Sequence, residues 1–305
     1  MRFRGHLPFT ASRRRSIARS TLVRSGEVSA GDPGICPFVW HDHMMPTYHL
    51  IAALGSSFAA GPGIEPVADA AAMRSQKNYA HQLADRLGAG LVDLTVSGAT
   101  TANIVDTPQQ TAGGIVYPPQ VDGVPADADV VTITAGGNDL QFAGAMLYAA
   151  WLRREPESPM VPMLGPMFPE GIPLPTERAV EQAATGLVRV IEKARANAPA
   201  ARILLVDYLT VLDDDSRPAT PFSDEELGQF LLIQSAVGQV FKDAATRTGA
   251  ELILASSLSA RHALGSAEPW VQPFHQALTQ TGASFHPNET GMTAIATELE
   301  RLLGT

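Results

Sequence analysis

The sequence predicts an α/β domain built on a five-stranded parallel sheet with helices on both faces. Five short apolar runs, at 48–54, 90–95, 130–134, 202–206 and 252–254, alternate with segments of helical periodicity. The first three runs lead directly into Gly-, Ser- and Asn-bearing turns, as strands do when they feed ligand-binding loops. A chain of 305 residues, 45% hydrophobic, is large enough to cover such a sheet on both sides.

Taken in order, Tyr48–Leu54 is an apolar strand ending at Gly55. Tyr79, Leu83 and Leu87 then recur at helical spacing, and Gly88 supplies the stop. Gly90–Thr95 reads as the second strand and Val130–Thr134 as the third. A long helix spans Glu177–Asn197, with Val180, Ala183, Leu187, Val190, Ile191 and Ala194 on its buried side. Pro199 ends it, and Arg202–Val206 is the fourth strand. Ser223 and Glu226 form a capping box that opens a helix closing at Gly249. Leu252–Leu254 is the fifth strand, and Asn288 caps a last helix carrying Met292, Ile295, Leu299, Leu302 and Leu303. Residues 140–175 are read as the least regular segment.

Charge is unevenly spread along the chain. Residues 1–44 hold seven arginines and three acids, net +4, whereas the other 261 residues hold 15 basic and 28 acidic side chains, net −13. All seven arginines precede the first acid, Glu27. The Arg/Ser-rich composition matches a mitochondrial transit peptide; a basic tail or an over-long reading of the gene are the alternatives. Met44-Met45-Pro46-Thr47, just ahead of the first strand, supports the last of these. The folded domain is therefore expected over 45–305, with 1–44 outside it. Leu7-Pro8-Phe9 is too short for the apolar region of a secretory signal, so an intracellular, mainly cytoplasmic location is expected.

Several function classes are excluded by composition. A net charge of −9 argues against nucleic acid as a partner. No run of eighteen apolar residues is present to span a membrane. The single cysteine, Cys36, precludes an intrachain disulfide or a cysteine-based zinc site. His41-Asp42-His43 has no further ligand at metal-binding spacing. Neither GxGxxG nor a Walker sequence occurs, and GxSxG is also missing. These absences count against metal and nucleotide sites.

Four polar segments converge on the rim of strand C-termini: 55–61 (GSSFAAG), 97–100 (SGAT), 136–139 (GGND) and 286–288 (HPN). Their chemistry is that of a serine hydrolase. Ser57 offers a hydroxyl where a strand passes into a helix N-terminus, with main-chain N–H groups pointing outward. His286 can act as general base to Ser57 and then as acid to the leaving alcohol. The Ser57 N–H, the Gly98 N–H and the Asn138 side-chain amide can supply an oxyanion hole. Gly136 and Gly137 let the chain turn tightly before Asn138.

These residues resemble the four blocks of the GDSL, or SGNH, hydrolase superfamily, which contribute Ser, Gly, Asn and His in this order. GSSFAAG resembles the first block with Ser57 as nucleophile, VSGATTANI the second, GGND the third and FHPNETG the last. RSQKNYAHQLADRLG at 74–88 and PWV at 269–271 are similar to the branch that contains Streptomyces secreted esterases. The resemblance covers about residues 46–303 and implies a three-layer, flavodoxin-like fold and hydrolysis of small-molecule or lipid carboxylic esters, with no metal and no organic cofactor.

Two departures accompany it. The family's usual Asp after the first Gly is Ser56 here, a rival nucleophile, although the spacing to Gly61 favours Ser57. The family's triad acid stands three residues before the histidine, where this chain has Ala283. The resemblance then implies that a main-chain carbonyl, that of Ala283, orients His286; Asp213, Asp214, Asp215 and Glu289 are the acids that could replace it. Met73 and Leu264 occupy positions where the secreted branch is expected to carry cysteines, which also favours an intracellular compartment. For substrate, the Met-rich 140–175 segment reads either as an apolar cover over an acyl pocket or as a connection packed on the core. Met146 and Trp270 are candidate pocket residues. The alternatives to an esterase or lipase are a carbohydrate acetylesterase and a catalytically silent SGNH-like binding protein.

Overall fold

A computed structural model describes residues 47–304. The basic segment 1–44, Cys36 and the His41-Asp42-His43 cluster lie outside the described residues. Five strands, β1 (Leu50–Gly55), β2 (Gly90–Asp93), β3 (Val130–Thr134), β4 (Arg202–Val206) and β5 (Glu251–Ile253), form one sheet in the order β2-β1-β3-β4-β5. Every pairing is parallel: Ile51 sits beside Leu91 and Val130, Val131 beside Ile203, and Leu205 beside Leu252. This is the 2-1-3-4-5 order of a flavodoxin-like sheet, in which the first connection runs one way and the later ones the other.

The side-chain period of two divides the core. Ala52, Leu54, Val131, Ile133, Ile203 and Leu205 face one layer, whereas Ile51, Ala53, Val130, Leu204, Val206 and Ile253 face the other. The second layer is made by α2 (Tyr79–Leu87) and α9 (Glu289–Leu303). The first is made by α3 (Thr101–Val105), α4 (Phe142–Arg154), α6 (Glu177–Asn197) and α7 (Asp224–Thr248). All five residues of β3 are buried, as expected for a strand covered on both faces.

Local chemistry sets the helix ends. Asn78, Ser223 and Asn288 each accept a main-chain N–H from the first turn of α2, α7 and α9, and Gly88, Gly249 and Gly304 close the same helices in the left-handed conformation. The Ser223/Glu226 pair is reciprocal, with Ser223 N–H donating to the Glu226 carboxylate.

The segment 140–175 departs from expectation. It opens with the 13-residue helix α4 and continues into α5 (Met160–Leu164) and a 3₁₀ turn at Gly165–Met167. Phe142, Ala145, Met146, Ala149 and Ala150 do recur at i, i+3, i+4, i+7 and i+8, but Ala143, Leu147 and Tyr148 blur the polar face, and the capping position is Gln141 at φ 57°. Two short antiparallel ribbons, 67–69 with 74–75 and 109–110 with 116–117, add to the rim, and the four-residue α8 (Ala255–Leu258) follows β5. No helix among the described residues is long and apolar enough to cross a membrane.

Candidate active site

The site begins with Gly55, the last residue of β1. A β-carbon there would collide with the Thr134 carbonyl of β3, so the close pairing of the two strand ends requires glycine. The Gln120 side-chain amide accepts the Gly55 N–H at 2.8 Å and donates to its carbonyl at 2.9 Å. Ser56 then caps the four-residue helix α1 (Ser57–Ala60), which Gly61 ends at φ 75°. Ser57 is thereby the first helical residue, with an N–H that has no partner within the helix.

His286 is delivered by the loop that precedes α9. That loop is strapped to 269–272: Gln272 N–H donates to the His286 carbonyl at 2.8 Å, Phe285 N–H to the Gln272 carbonyl at 3.0 Å, and Asn288 N–H to the Trp270 carbonyl at 2.9 Å. The Asn288 side chain adds a bond to the Pro269 carbonyl at 2.7 Å. Phe285 takes a left-handed φ of 64°, turning the ring of the next residue inward.

Ser57 and His286 meet across 229 positions of sequence, with Ser57 Oγ 2.7 Å from His286 Nε2. Both are buried, at 6% and 8% exposure. His286 Nδ1 lies 2.8 Å from the Ser284 carbonyl oxygen. A carbonyl only accepts, so Nδ1 carries the proton and Nε2 is free to accept from the Ser57 hydroxyl. The orienting carbonyl is thus that of Ser284, not of Ala283. Residues 281–283 form a 3₁₀ turn, and the Ala283 carbonyl takes the His286 main-chain N–H at 3.2 Å. Burial holds the imidazole well below its ordinary value, at about 4, and the Ser284 carbonyl offsets this only in part.

None of the acids weighed as replacements bonds to the histidine. Asp213 caps a 3₁₀ turn through Asp215 N–H and the Ser216 hydroxyl, Asp214 and Asp215 are exposed, and Glu289 pairs with Lys77 at 2.8 Å. Among the described residues, no three or more His, Cys, Asp or Glu side chains are grouped to hold a metal ion.

The oxyanion candidates lie on two further loops. Gly98, exposed and at φ 84°, follows β2. The Asn138 amide donates one N–H to the Ala99 carbonyl at 2.9 Å, and its second N–H remains for another acceptor. Asp139 accepts from Thr101 N–H at 3.1 Å and from its hydroxyl at 2.6 Å, so the 136–139 turn is tied to the head of α3. Burial raises the Asp139 carboxyl above its ordinary value.

Ser56 points away from this centre. Its hydroxyl is fully buried and lies 3.0 Å from the Tyr208 hydroxyl. Gly137 also has a different reason from the tight turn expected of it: a β-carbon there would run into the Tyr208 ring. The left-handed residue is Gly136, at φ 105°.

Neither candidate pocket residue lines the groove nearest the site. Met146 has 0% exposure because it lies on the inner face of α4. The half-buried Trp270 stacks on His262, with ring centroids 3.9 Å apart, and packs against the core layer of α2 and α9. A groove of about 450 Å³ is lined by Gln141, Met167, Phe168, Glu170, Ile172 and Leu174. Residues that sequence reasoning missed are Gln120, Ser284 and Tyr208; Gln120 and Tyr208 act on partners far along the chain, whereas Ser284 stands two residues before His286 and is selected by the local turn and the left-handed Phe285.

The chain matches the GDSL-like Lipase/Acylhydrolase family over residues 53–294. It is 29% identical over 304 residues to "Lipase 2" of Streptomyces coelicolor, covering 95% of this chain and 97% of that protein. Among solved structures it is similar to an extracellular lipase from Streptomyces rimosus, at 20% identity and TM-score 0.60, over 84% of this chain and all of that one. It is also similar to a phospholipase A1 from Streptomyces albidoflavus, at 18% identity and TM-score 0.59, over 85% of this chain and all of that one. With its parallel sheet and its Ser57–His286 pair at the strand C-termini, the chain belongs to the GDSL-like lipase/acylhydrolase family and is a serine ester hydrolase.

Proposed function

We propose that the protein hydrolyses carboxylic esters of apolar acyl chains through a Ser57 acyl-enzyme, with a Ser57–His286 dyad. The observation that carries this reading is the 2.7 Å contact between Ser57 Oγ and His286 Nε2, with Nδ1 held by the Ser284 carbonyl. The uncharged imidazole accepts the Ser57 proton as Oγ bonds to the ester carbonyl carbon. Negative charge on the carbonyl oxygen meets the Ser57 N–H, the Gly98 N–H and the free Asn138 N–H. His286 returns the proton to the alcohol oxygen as the C–O bond breaks, and water attacks the acyl-enzyme by the same route in reverse. The Ser284 carbonyl keeps the required tautomer and partly stabilises the imidazolium.

The groove that starts at Gln141, three residues after Asn138, offers Met167, Phe168, Ile172 and Leu174 to an apolar acyl group, beside the polar Gln141 and Glu170. Met167 and Leu174 are each more than half exposed, and methionine adapts to irregular apolar partners. Relatives named as lipases and a phospholipase support the same class.

A p-nitrophenyl ester series from acetate to palmitate, run beside acetylated xylan, tests this reading. Esters longer than acetate are expected to be preferred. Ser57→Ala is expected to lose both turnover and labelling by a fluorophosphonate, whereas Ser56→Ala keeps the labelling. Preference for acetylated xylan would identify a carbohydrate acetylesterase instead. Labelling that persists in Ser57→Ala would refute the nucleophile.

A further inference from the structure

Tyr208 follows β4 by two residues, far in sequence from the four site segments, yet it touches two of them. Its hydroxyl lies 3.0 Å from Ser56 Oγ and accepts the Gly137 N–H at 3.3 Å. Ser56 precedes Ser57 and Gly137 precedes Asn138, so one phenol bonds to the neighbour of each of two oxyanion donors. The Tyr208 ring also stacks on Phe58, the residue after Ser57, with centroids 3.9 Å apart and planes 14° from parallel. Phe58 in turn lies 5.1 Å from the His286 ring.

We propose that Tyr208 is a positioning residue that holds the Ser57 and Asn138 loops at one fixed separation, so that their N–H groups converge on the same oxygen. The inference rests on the serine-hydrolase reading above and adds a residue to it. The two loops leave adjacent strands, and Ser56 N–H still reaches the Thr134 carbonyl at 3.0 Å. Beyond that point Gly136 and Gly137 have no side chains with which to anchor their own segment. Asn138 and Asp139 are tied to α3 and its entry, not to α1. Among the described residues, Tyr208 is the side chain that hydrogen-bonds to both the Ser56 and the Gly137 segments.

Complementary features fit that role. Gly137 has no β-carbon, and one would overlap the Tyr208 ring, so the pair is sterically matched. Ser56 stands where the family resemblance leads one to expect Asp, and its hydroxyl is fully buried, so it requires a partner. Burial pushes Tyr208 up to about 12, which keeps the phenol protonated and able to donate at neutral pH.

The test measures kcat and KM of Tyr208→Phe on p-nitrophenyl butyrate, per active site titrated with a fluorophosphonate. The phenyl ring keeps the Phe58 stack and removes only the hydroxyl. Loosening two oxyanion donors is expected to lower kcat by about 10- to 100-fold with KM changed by less than about two-fold. In an Asn138→Ala background the same change should cost less than about three-fold, because only the Ser57 N–H is left and there is no second donor for it to be held in step with. Ser56→Ala, which leaves the Gly137 bond and the ring stack, should lower kcat by about three- to ten-fold. A kcat per titrated site within about two-fold of the parent in Tyr208→Phe would overturn the proposal, as would an equal loss in the Asn138→Ala background. If Tyr208→Phe fails to fold by near-ultraviolet circular dichroism, unchanged kcat in Ser56→Ala overturns it instead. Ser57→Ala run in parallel tests the hydrolase reading separately, since its activity is lost whatever Tyr208 does.

Discussion

Acidification is the perturbation that the buried dyad resists most clearly. His286 must be uncharged to accept the Ser57 proton, and burial lowers its value from 6.5 to about 4. The sign is that of a base whose cation is penalised: the neutral form persists to lower pH than in water. At pH 5.5 a group titrating at 4 is roughly 97% neutral, whereas one at 6.5 is roughly 9% neutral, a tenfold difference in competent enzyme. The assay is kcat/KM on a soluble short-chain p-nitrophenyl ester from pH 3.5 to 8, because that ratio reports the free enzyme. Activity should be flat down to about pH 5 and fall along a single limb centred near pH 4. The same shift destabilises the fold in acid, since the unfolded histidine takes a proton at 6.5 and the folded one does not. Its contribution is complete above pH 6.5 and is lost as pH falls towards 4, by about 3 kcal/mol in all. Samples returned to pH 7 therefore need to recover full activity before a limb is assigned to titration. A reversible limb near 6.5 would refute the reasoning, because it would mean a solvated imidazole in the free enzyme.

Two further outcomes follow from the same geometry. Asp213→Asn, Asp214→Asn, Asp215→Asn and Glu289→Gln should each keep turnover within a few fold, because none of these carboxylates reaches His286; a true triad acid costs about 10⁴-fold when disabled, so a loss of several hundred-fold in one folded variant would overturn the dyad. Burial pushes Asp207 up to about 6, against the lowering effect of its bonds from Ser256 N–H and hydroxyl, so its folded form holds a proton that the unfolded chain releases at lower pH. Asp207→Asn should therefore gain stability relative to the parent as pH rises from about 4 to 7, by up to about 3 kcal/mol, measured by urea unfolding at both pH values.

How far the fold could be read in advance depended on where its determinants lie. Val130–Thr134 and Arg202–Val206 matched their strands end for end, because short runs dominated by β-branched and apolar residues suffice for a doubly covered strand. The 21-residue α6 likewise matched from Glu177 to Asn197, and α7 opened and closed at the expected capping box and glycine. The helix α4 escaped because its apolar stripe is flanked by more apolar residues, and its start is a left-handed Gln141 in place of a capping side chain. Met146 and Trp270 show the same limit at the site. Composition marks them as apolar, but only packing tells a pocket wall from a core residue.

By itself the sequence determined the strands and most of the helices, the order in which four polar segments reach one rim, and the residue types available there. These are properties of spacing and side-chain chemistry, which act over a few positions of chain. The folded structure decided which carbonyl meets His286, since a local 3₁₀ turn and a left-handed Phe285 bring Ser284 under the ring and leave Ala283 to the main chain. It also decided that Ser56 faces Tyr208, 152 positions away, and that Gly137 is small because an aromatic ring lies against it. The two Tyr208 contacts depend on how separate strands end beside one another, and no local pattern encodes a partner that the chain reaches only after the sheet has closed.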